Sequence, residues 1–128
     1  MTVLLSCLFV VVLLPYLAKV PMAIAMNRLG GYDNNYPREQ AAKLQGFGAR
    51  ASAAHQNSFE ALSVFSTVIL AAIATNHISF FIQCLAVFYV FTRLVYHIIY
   101  LMNLATLRST IWGIGYLCCL IILGSCIF

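Results

Sequence analysis

Two short segments of the chain carry polar side chains at spacings that suit anion binding. In the first segment, Arg50, Asn57 and Glu60 fall on one broad stripe when the residues are placed on a helix of 3.6 residues per turn. The second segment has a similar stripe, which contains Arg93, Tyr96, His97, Tyr100 and Asn103. Guanidinium groups bind carboxylates through charge-assisted hydrogen bonds, and amides and phenols add neutral donors. The two stripes therefore favour a site for an anion that carries peptide-like groups.

A third feature is the pair Arg108-Ser109, which we expect at the N-terminus of the last helix. Free backbone N–H groups and the positive end of the helix dipole favour an anion at such a position. A thiol held there ionises more readily to the reactive thiolate. Ser109 also suits the N-cap of the helix, and this structural role is compatible with the chemical one.

A structural alternative applies to Glu60 and Arg93, because an ion pair between them could simply lock two helices together. Such a pair would lower the cost of placing either charge in hydrocarbon. The sequence nevertheless holds more arginine than one pair requires. The arginines expected near one membrane level, against a single intramembrane carboxylate, are Arg28, Arg50, Arg93 and Arg108. This surplus favours an anionic ligand.

The remaining chemistry-bearing residues are interpreted as structural. His55 and His97 match no metal-binding spacing, so we expect no metal site. The aromatic residues expected at the membrane interface or in helix packing are Tyr16, Tyr89, Trp112 and Tyr116. The cysteines lie in apolar runs and are interpreted as small hydrophobic residues; they are Cys7, Cys84, Cys118, Cys119 and Cys126.

The composition indicates which kind of fold must position these residues. Of the 128 residues, 63% are hydrophobic and only 8% are charged, whereas a soluble domain carries about 25% charge. A spanning helix needs about 20 apolar residues, so the chain has room for four spans, and its continuous apolar runs disfavour a β-barrel. We therefore predict an all-α membrane protein, a four-transmembrane-helix bundle that forms one domain over residues 1–128. The net charge of +4 is interpreted as a topology signal and not as a nucleic-acid patch.

The predicted spans cover residues 2–26, 48–75, 79–104 and 109–127. The only long polar loop is 27–46, where Gly30-Gly31 stops the first helix and Pro37 is a turn former. Basic residues lie in the first and third loops, while the second loop and both termini have none. The positive-inside rule then predicts a multi-pass protein whose first and third loops are cytoplasmic and whose termini both lie outside.

The order and spacing of the motifs resemble one protein family. The segment "RASAAHQNSFE", residues 50–60, resembles the second-helix pattern of the MAPEG proteins, the membrane-associated proteins of eicosanoid and glutathione metabolism. The segments "RLVYHIIY", 93–100, and "LRS", 107–109, resemble the family's third-helix segment and the segment before its fourth helix. The loop "GGYDNNYPRE", 30–39, is similar to that of small bacterial members, which implies a bacterial inner membrane.

This resemblance implies a homotrimer that holds glutathione between adjacent subunits, near the cytoplasmic side. The implied activity is that of a glutathione-dependent transferase or peroxidase acting on a lipophilic electrophile. Arg108 would stabilise the glutathione thiolate beside Ser109. The residues implied to hold the rest of glutathione are Arg28, Arg50, Asn57, Glu60, Arg93, Tyr96 and Tyr100. Gln56 and Tyr96 depart from prostaglandin-synthase-like members, which carry an arginine and a histidine there.

Two further classes of function remain open on the sequence alone. One is a non-catalytic membrane protein of the same fold that binds another anion or a partner protein. The other is a small four-span transporter with Glu60 as its coupling carboxylate. The surplus of arginine over carboxylate disfavours cation transport.

The predicted orientation can be tested by labelling. A cysteine placed at Asn34 in a cysteine-free background should be blocked only by reagents that cross the membrane, because the 27–46 loop is expected to be cytoplasmic. Labelling of that cysteine from outside by an impermeant reagent would show that the predicted orientation is wrong.

Overall fold

The structure is a computed structural model, and it describes residues 1–127. Within this range the chain forms four long helices and one short one. The helices are α1 (Thr2–Asn27), α2 (Pro37–Ala42), α3 (Phe47–Ala74), α4 (Phe80–Leu101) and α5 (Ala105–Ser125). The four long helices are each long and apolar enough to cross a membrane. The prediction of an all-helical, four-span membrane protein is confirmed.

The long helices run alternately up and down, so one end of the bundle collects the charged residues. At this end α1 and α4 finish and α3 and α5 begin, and we call it the basic end. All seven Lys and Arg side chains belong to its half of the bundle: Lys19, Arg28, Arg38, Lys43, Arg50, Arg93 and Arg108. The functional residues predicted from the sequence all lie in this half.

The interior of the bundle is apolar and lies mainly toward the opposite end. α1 packs chiefly against α3, and α4 packs chiefly against α5. The buried cluster takes residues from all four spans, among them Leu4, Phe65, Ala86 and Ile122. A smaller cluster around Met26 joins α1 to the start of α3 at the basic end. Many large apolar side chains remain exposed on the outside of the helices, as expected for residues that face lipid.

The structure corrects three predicted boundaries near the basic end. The polar loop 27–46 contains the short helix α2, and Pro37 begins that helix because its fixed φ suits the first helical position. The third span ends at Leu101 and not at residue 104, because Asn103 takes a left-handed conformation with φ 64°. The fourth span begins at Ala105, four residues before Ser109.

Helices α4 and α5 approach closely at one glycine, and this contact yields a matched test. A Cβ atom on Gly115 would lie 2.9 Å from Thr92 Oγ1, whereas one on Gly113 would meet nothing within 4 Å. Both glycines lie inside α5, so alanine improves helix propensity equally at each. We expect Gly115→Ala to lower the free energy of unfolding by about 1–3 kcal/mol because it overpacks the interface. Gly113→Ala should leave it unchanged or raise it, as measured by denaturation in detergent; equal effects would contradict this packing.

Candidate functional site

Arg93 is the buried cation around which the candidate site is built. It lies on α4 and is only 3% exposed. Its Nη2 donates a hydrogen bond to Asn57 Oδ1 on α3, and its guanidinium carbon lies 4.2 Å from the centroid of the Tyr96 ring. Its Nε is buried and has no hydrogen-bond partner within the described residues. Arg93 therefore keeps a donor free in a place where an unpaired donor is costly.

Asn57 connects Arg93 to the single intramembrane carboxylate. Its side-chain Nδ2 donates to Glu60 Oε2 at 2.9 Å, while its Oδ1 accepts from Arg93. Asn57 and Glu60 lie one turn apart on α3, so both can face α4. A direct ion pair between Glu60 and Arg93 is one arrangement that the sequence allows, but the structure links the two side chains through the Asn57 amide. Glu60 itself is exposed, so its second oxygen is accessible.

A second cation, Arg108, is connected to Arg93 through the rings of Tyr100 and Tyr96. The guanidinium carbon of Arg108 on α5 lies 4.5 Å from the centroid of the Tyr100 ring. Tyr100 packs edge-on against Tyr96, with ring centroids 5.5 Å apart, and Tyr96 lies under Arg93. Cation–π contacts orient both guanidinium groups while leaving their N–H groups free to donate. The predicted residues Arg93, Tyr96, Tyr100 and Arg108 are thus brought into one row.

Ser109 does not take the position that the sequence predicted. α5 begins at Ala105 with Leu104 as its N-cap residue, so Ser109 lies in the second turn. Its hydroxyl donates to the Ala105 carbonyl at 3.1 Å, which is a bond within the helix. The free N–H groups of the first turn belong to residues 105–107. The N-cap prediction for Ser109 is wrong because the helix starts a full turn earlier.

Arg50 and Arg28 lie apart from this row. Arg50 Nε donates to the Leu101 carbonyl at 3.3 Å, so this side chain satisfies an end carbonyl of α4. Arg28 is exposed at the C-cap of α1. Within residues 1–127, neither arginine is a hydrogen-bond partner of Asn57 or Arg93. Their role in ligand binding stays a prediction.

A cavity of about 220 Å³ opens beside Arg93, between α3, α4 and α5, and we call it the polar cavity. Its polar end is formed by Asn57, Glu60 and Arg93. Its lining is completed by Ala61, Val64, Tyr89, Trp112, Tyr116 and Cys119. The cavity thus combines a charged end with an apolar, aromatic wall, an arrangement typical of small-molecule sites.

Four lining residues were interpreted as structural in the sequence. Tyr89 stacks on Phe65 with ring centroids 4.3 Å apart, and its hydroxyl donates to the Ala61 carbonyl at 3.1 Å. Trp112 and Tyr116 stack on each other with ring centroids 5.4 Å apart. Both follow Arg108 at steps of four residues, so they share a face of α5 with it. That spacing is the signal that could have placed them in the site, whereas nothing in the sequence distinguishes Cys119 from a packing residue.

The two histidines of the spans make contacts away from the polar cavity. His97 Nε2 lies 3.1 Å from Ser58 Oγ, and His55 Nδ1 lies 2.8 Å from the Pro15 carbonyl. Between Met1 and Ile127, no three His, Cys, Asp or Glu side chains are arranged to hold a metal ion. The groups that line the polar cavity include an arginine, an amide, a carboxylate, aromatic rings and the Cys119 thiol.

The four spans and the polar cavity define a class of protein. The chain is an integral, multi-pass membrane protein with four spans and a cavity that opens beside the buried Arg93. The chain belongs to the MAPEG family, whose family model matches residues 3–128. Comparison with curated proteins gave no significant match, and neither did comparison with solved structures.

The contact between Asn57 and Arg93 predicts an order of stability among variants. Asn57→Ala removes the hydrogen-bond partner of a buried guanidinium, so we expect a loss of about 1.5–3 kcal/mol in the free energy of unfolding. Glu60→Gln should cost much less, since Glu60 is exposed and the glutamine oxygen can still accept from Asn57. The neighbouring exposed amide provides a control, Gln56→Ala, which should be nearly neutral. Thermal unfolding in detergent measures the order, and a larger loss for Glu60→Gln would contradict it.

Proposed function

We propose that this protein binds glutathione and acts as a membrane transferase or peroxidase on a lipophilic electrophile. The observation that carries the proposal is the free, buried Nε of Arg93 beside the polar cavity. A ligand that supplies an acceptor there removes the cost of the unpaired donor. Membership of the MAPEG family supports glutathione as that ligand.

The donor set suits the groups of a tripeptide. Arg93 presents guanidinium N–H groups that match a carboxylate, and Arg108 presents a second cation for the thiol end of the ligand. Tyr96 and Tyr100 hold the two guanidinium groups in place through their rings. Glu60 presents an accessible carboxylate that can accept from the glutathione amino group. The residues present therefore fit the charges of glutathione at both of its ends.

The size of the polar cavity supports a site shared between subunits. A pocket that encloses a ligand of this size occupies about 300–1,000 Å³, which exceeds the cavity of about 220 Å³ in one chain. A second copy of the chain would close the remaining side. A homotrimer provides this contact, because cyclic symmetry joins one face of each subunit to a different face of the next. Arg28 and Arg50, which lie outside the cavity of their own subunit, remain available to such a shared site.

Bound glutathione supplies the nucleophilic thiolate. Arg108 would stabilise the negative charge on its sulfur, and the first turn of α5 adds free N–H groups close by. In a transfer step the new bond joins sulfur to the electrophilic carbon, and the leaving group departs with its electron pair or, from an epoxide, stays attached as an alkoxide that takes a proton. Arg93 and Asn57 would only bind and orient.

The apolar wall of the cavity suits a substrate that arrives through the bilayer. Trp112 and Tyr116 are each more than two-fifths exposed on the lipid-facing side of α5. A lipophilic electrophile can therefore reach the cavity along α5 without crossing water. We place the basic end, and so the glutathione site, on the cytoplasmic side, because the loops there carry the basic residues.

Substitution of Arg108 distinguishes an effect on the chemical step from an effect on glutathione binding. Arg108→Ala should lower kcat for a model electrophile by about tenfold to a hundredfold, because thiolate stabilisation is lost, while the KM for glutathione changes less. It should also raise the pH at which turnover begins. Lys43→Ala is the matched control, since Lys43 is a basic residue of the same end that lines the separate loop hollow and not the row from Arg93 to Arg108. If Arg108→Ala leaves kcat and the pH profile unchanged, the thiolate role is wrong.

A second function is favoured by the hydrogen bond of Ser109. Because its hydroxyl donates within the helix to Ala105, it is not free to face the sulfur of a ligand. A non-catalytic member of the family that binds an anion or a partner protein would need no such group. Saturable glutathione binding without turnover of any electrophile would replace the enzyme with this binding protein.

A further inference from the structure

A second cavity lies on the other side of α3, and its charge is unbalanced. It has a volume of about 580 Å³ and lies between α1, α2 and the first half of α3. Two fixed cations line it, Lys19 from α1 and Arg38 from α2. We call it the cationic cavity.

No carboxylate balances these cations. The chain has three acidic residues, all within the described range. Glu60 lines the polar cavity, and Asp33 and Glu39 line a separate hollow on the loop beside Lys43. None of the three lines the cationic cavity. The fixed charges that line it are therefore both positive, which favours an anion.

Lys19 lies well inside α1 and not at its end. It stands eight positions before Asn27, the last residue of α1, which corresponds to about 12 Å along the helix. A charge that faces hydrocarbon at such a depth is costly, so Lys19 requires polar surroundings. The cationic cavity supplies them, and an anion in it would neutralise the charge.

The remaining lining gives the cavity an apolar side that continues toward the membrane. Met22 of α1 and Phe59 of α3 line it together with the polar Gln56. The Phe59 ring packs edge-on against Tyr16, with centroids 6.4 Å apart, and both side chains are exposed. Tyr16 lies about one turn deeper on α1 than Lys19. An apolar track therefore leads from the cations along α1 and α3 toward the middle of the bundle.

We infer that the cationic cavity binds an anionic amphiphile, with a phosphate-type headgroup between Lys19 and Arg38 and an acyl chain along Phe59 and Tyr16. This site is separate from the proposed glutathione site and does not depend on it. The polar cavity is built from α3, α4 and α5, whereas this one is built from α1, α2 and α3. Gln56 and Asn57 are neighbours in sequence but line different cavities.

The inference can be tested by lipid binding to the purified full-length protein in detergent. The probes are oleoyl lysophosphatidate, oleoyl lysophosphatidylcholine and inorganic phosphate, with binding followed by native mass spectrometry. We expect lysophosphatidate to bind more tightly than the zwitterionic lipid of the same chain. Lys19→Gln and Arg38→Gln should each weaken its binding about fivefold to tenfold. Lys43→Gln removes the same charge from the same end of the bundle and should leave binding unchanged.

Each alternative gives a distinct result. Equal weakening by Lys43→Gln and Lys19→Gln would show general surface attraction and overturn the site. Inorganic phosphate binding as tightly as lysophosphatidate would overturn the amphiphile and leave a free-anion site. Competition between glutathione and lysophosphatidate would overturn the separation of the two cavities. Arg38 lies outside the spans, so Arg38→Gln gives a result even if Lys19→Gln disturbs folding.

Discussion

The hydrogen bond from Arg93 to Asn57 is the contact on which the rest of the site depends. A guanidinium that is 3% exposed inside a membrane bundle must have partners, and one chain gives it an amide, an aromatic ring and no direct carboxylate. The arrangement leaves Nε free and the charge unneutralised. A buried cation that keeps an unsatisfied donor is a costly way to join two helices. An anionic ligand in the polar cavity would supply the acceptor that Nε lacks.

A cation within a spanning helix lies on each side of α3. Lys19 and Arg93 each lie eight residues from the end of their helix at the basic end, on α1 and α4. Each cation opens onto its own cavity, and α3 forms a wall of both. The two cavities differ in kind. The polar cavity has a carboxylate and an amide for a ligand with both charges, whereas the cationic cavity offers positive charge beside an apolar track.

The sequence predicted the features of this structure that follow from helical periodicity. It did not predict helix ends and caps that depend on individual residues. The stripe of Asn57 and Glu60 and the stripe from Arg93 to Tyr100 follow from 3.6 residues per turn, and the structure joins them. The predicted fourth span begins at residue 109, but the left-handed Asn103 closes α4 early enough for α5 to begin at Ala105. The hydrogen bond from Arg50 to the Leu101 carbonyl joins residues that are 51 positions apart in the sequence, so no local sequence pattern could predict it.

The measurement that tests the account most directly is the ultraviolet absorbance of the thiolate when glutathione is added to the purified protein at neutral pH. Free glutathione is largely protonated there, so thiolate absorbance reports binding at a cationic site. The account predicts a saturable increase in absorbance that is lost in Asn57→Ala and Arg108→Ala variants that remain folded. An absence of any increase with the folded wild-type protein would contradict it.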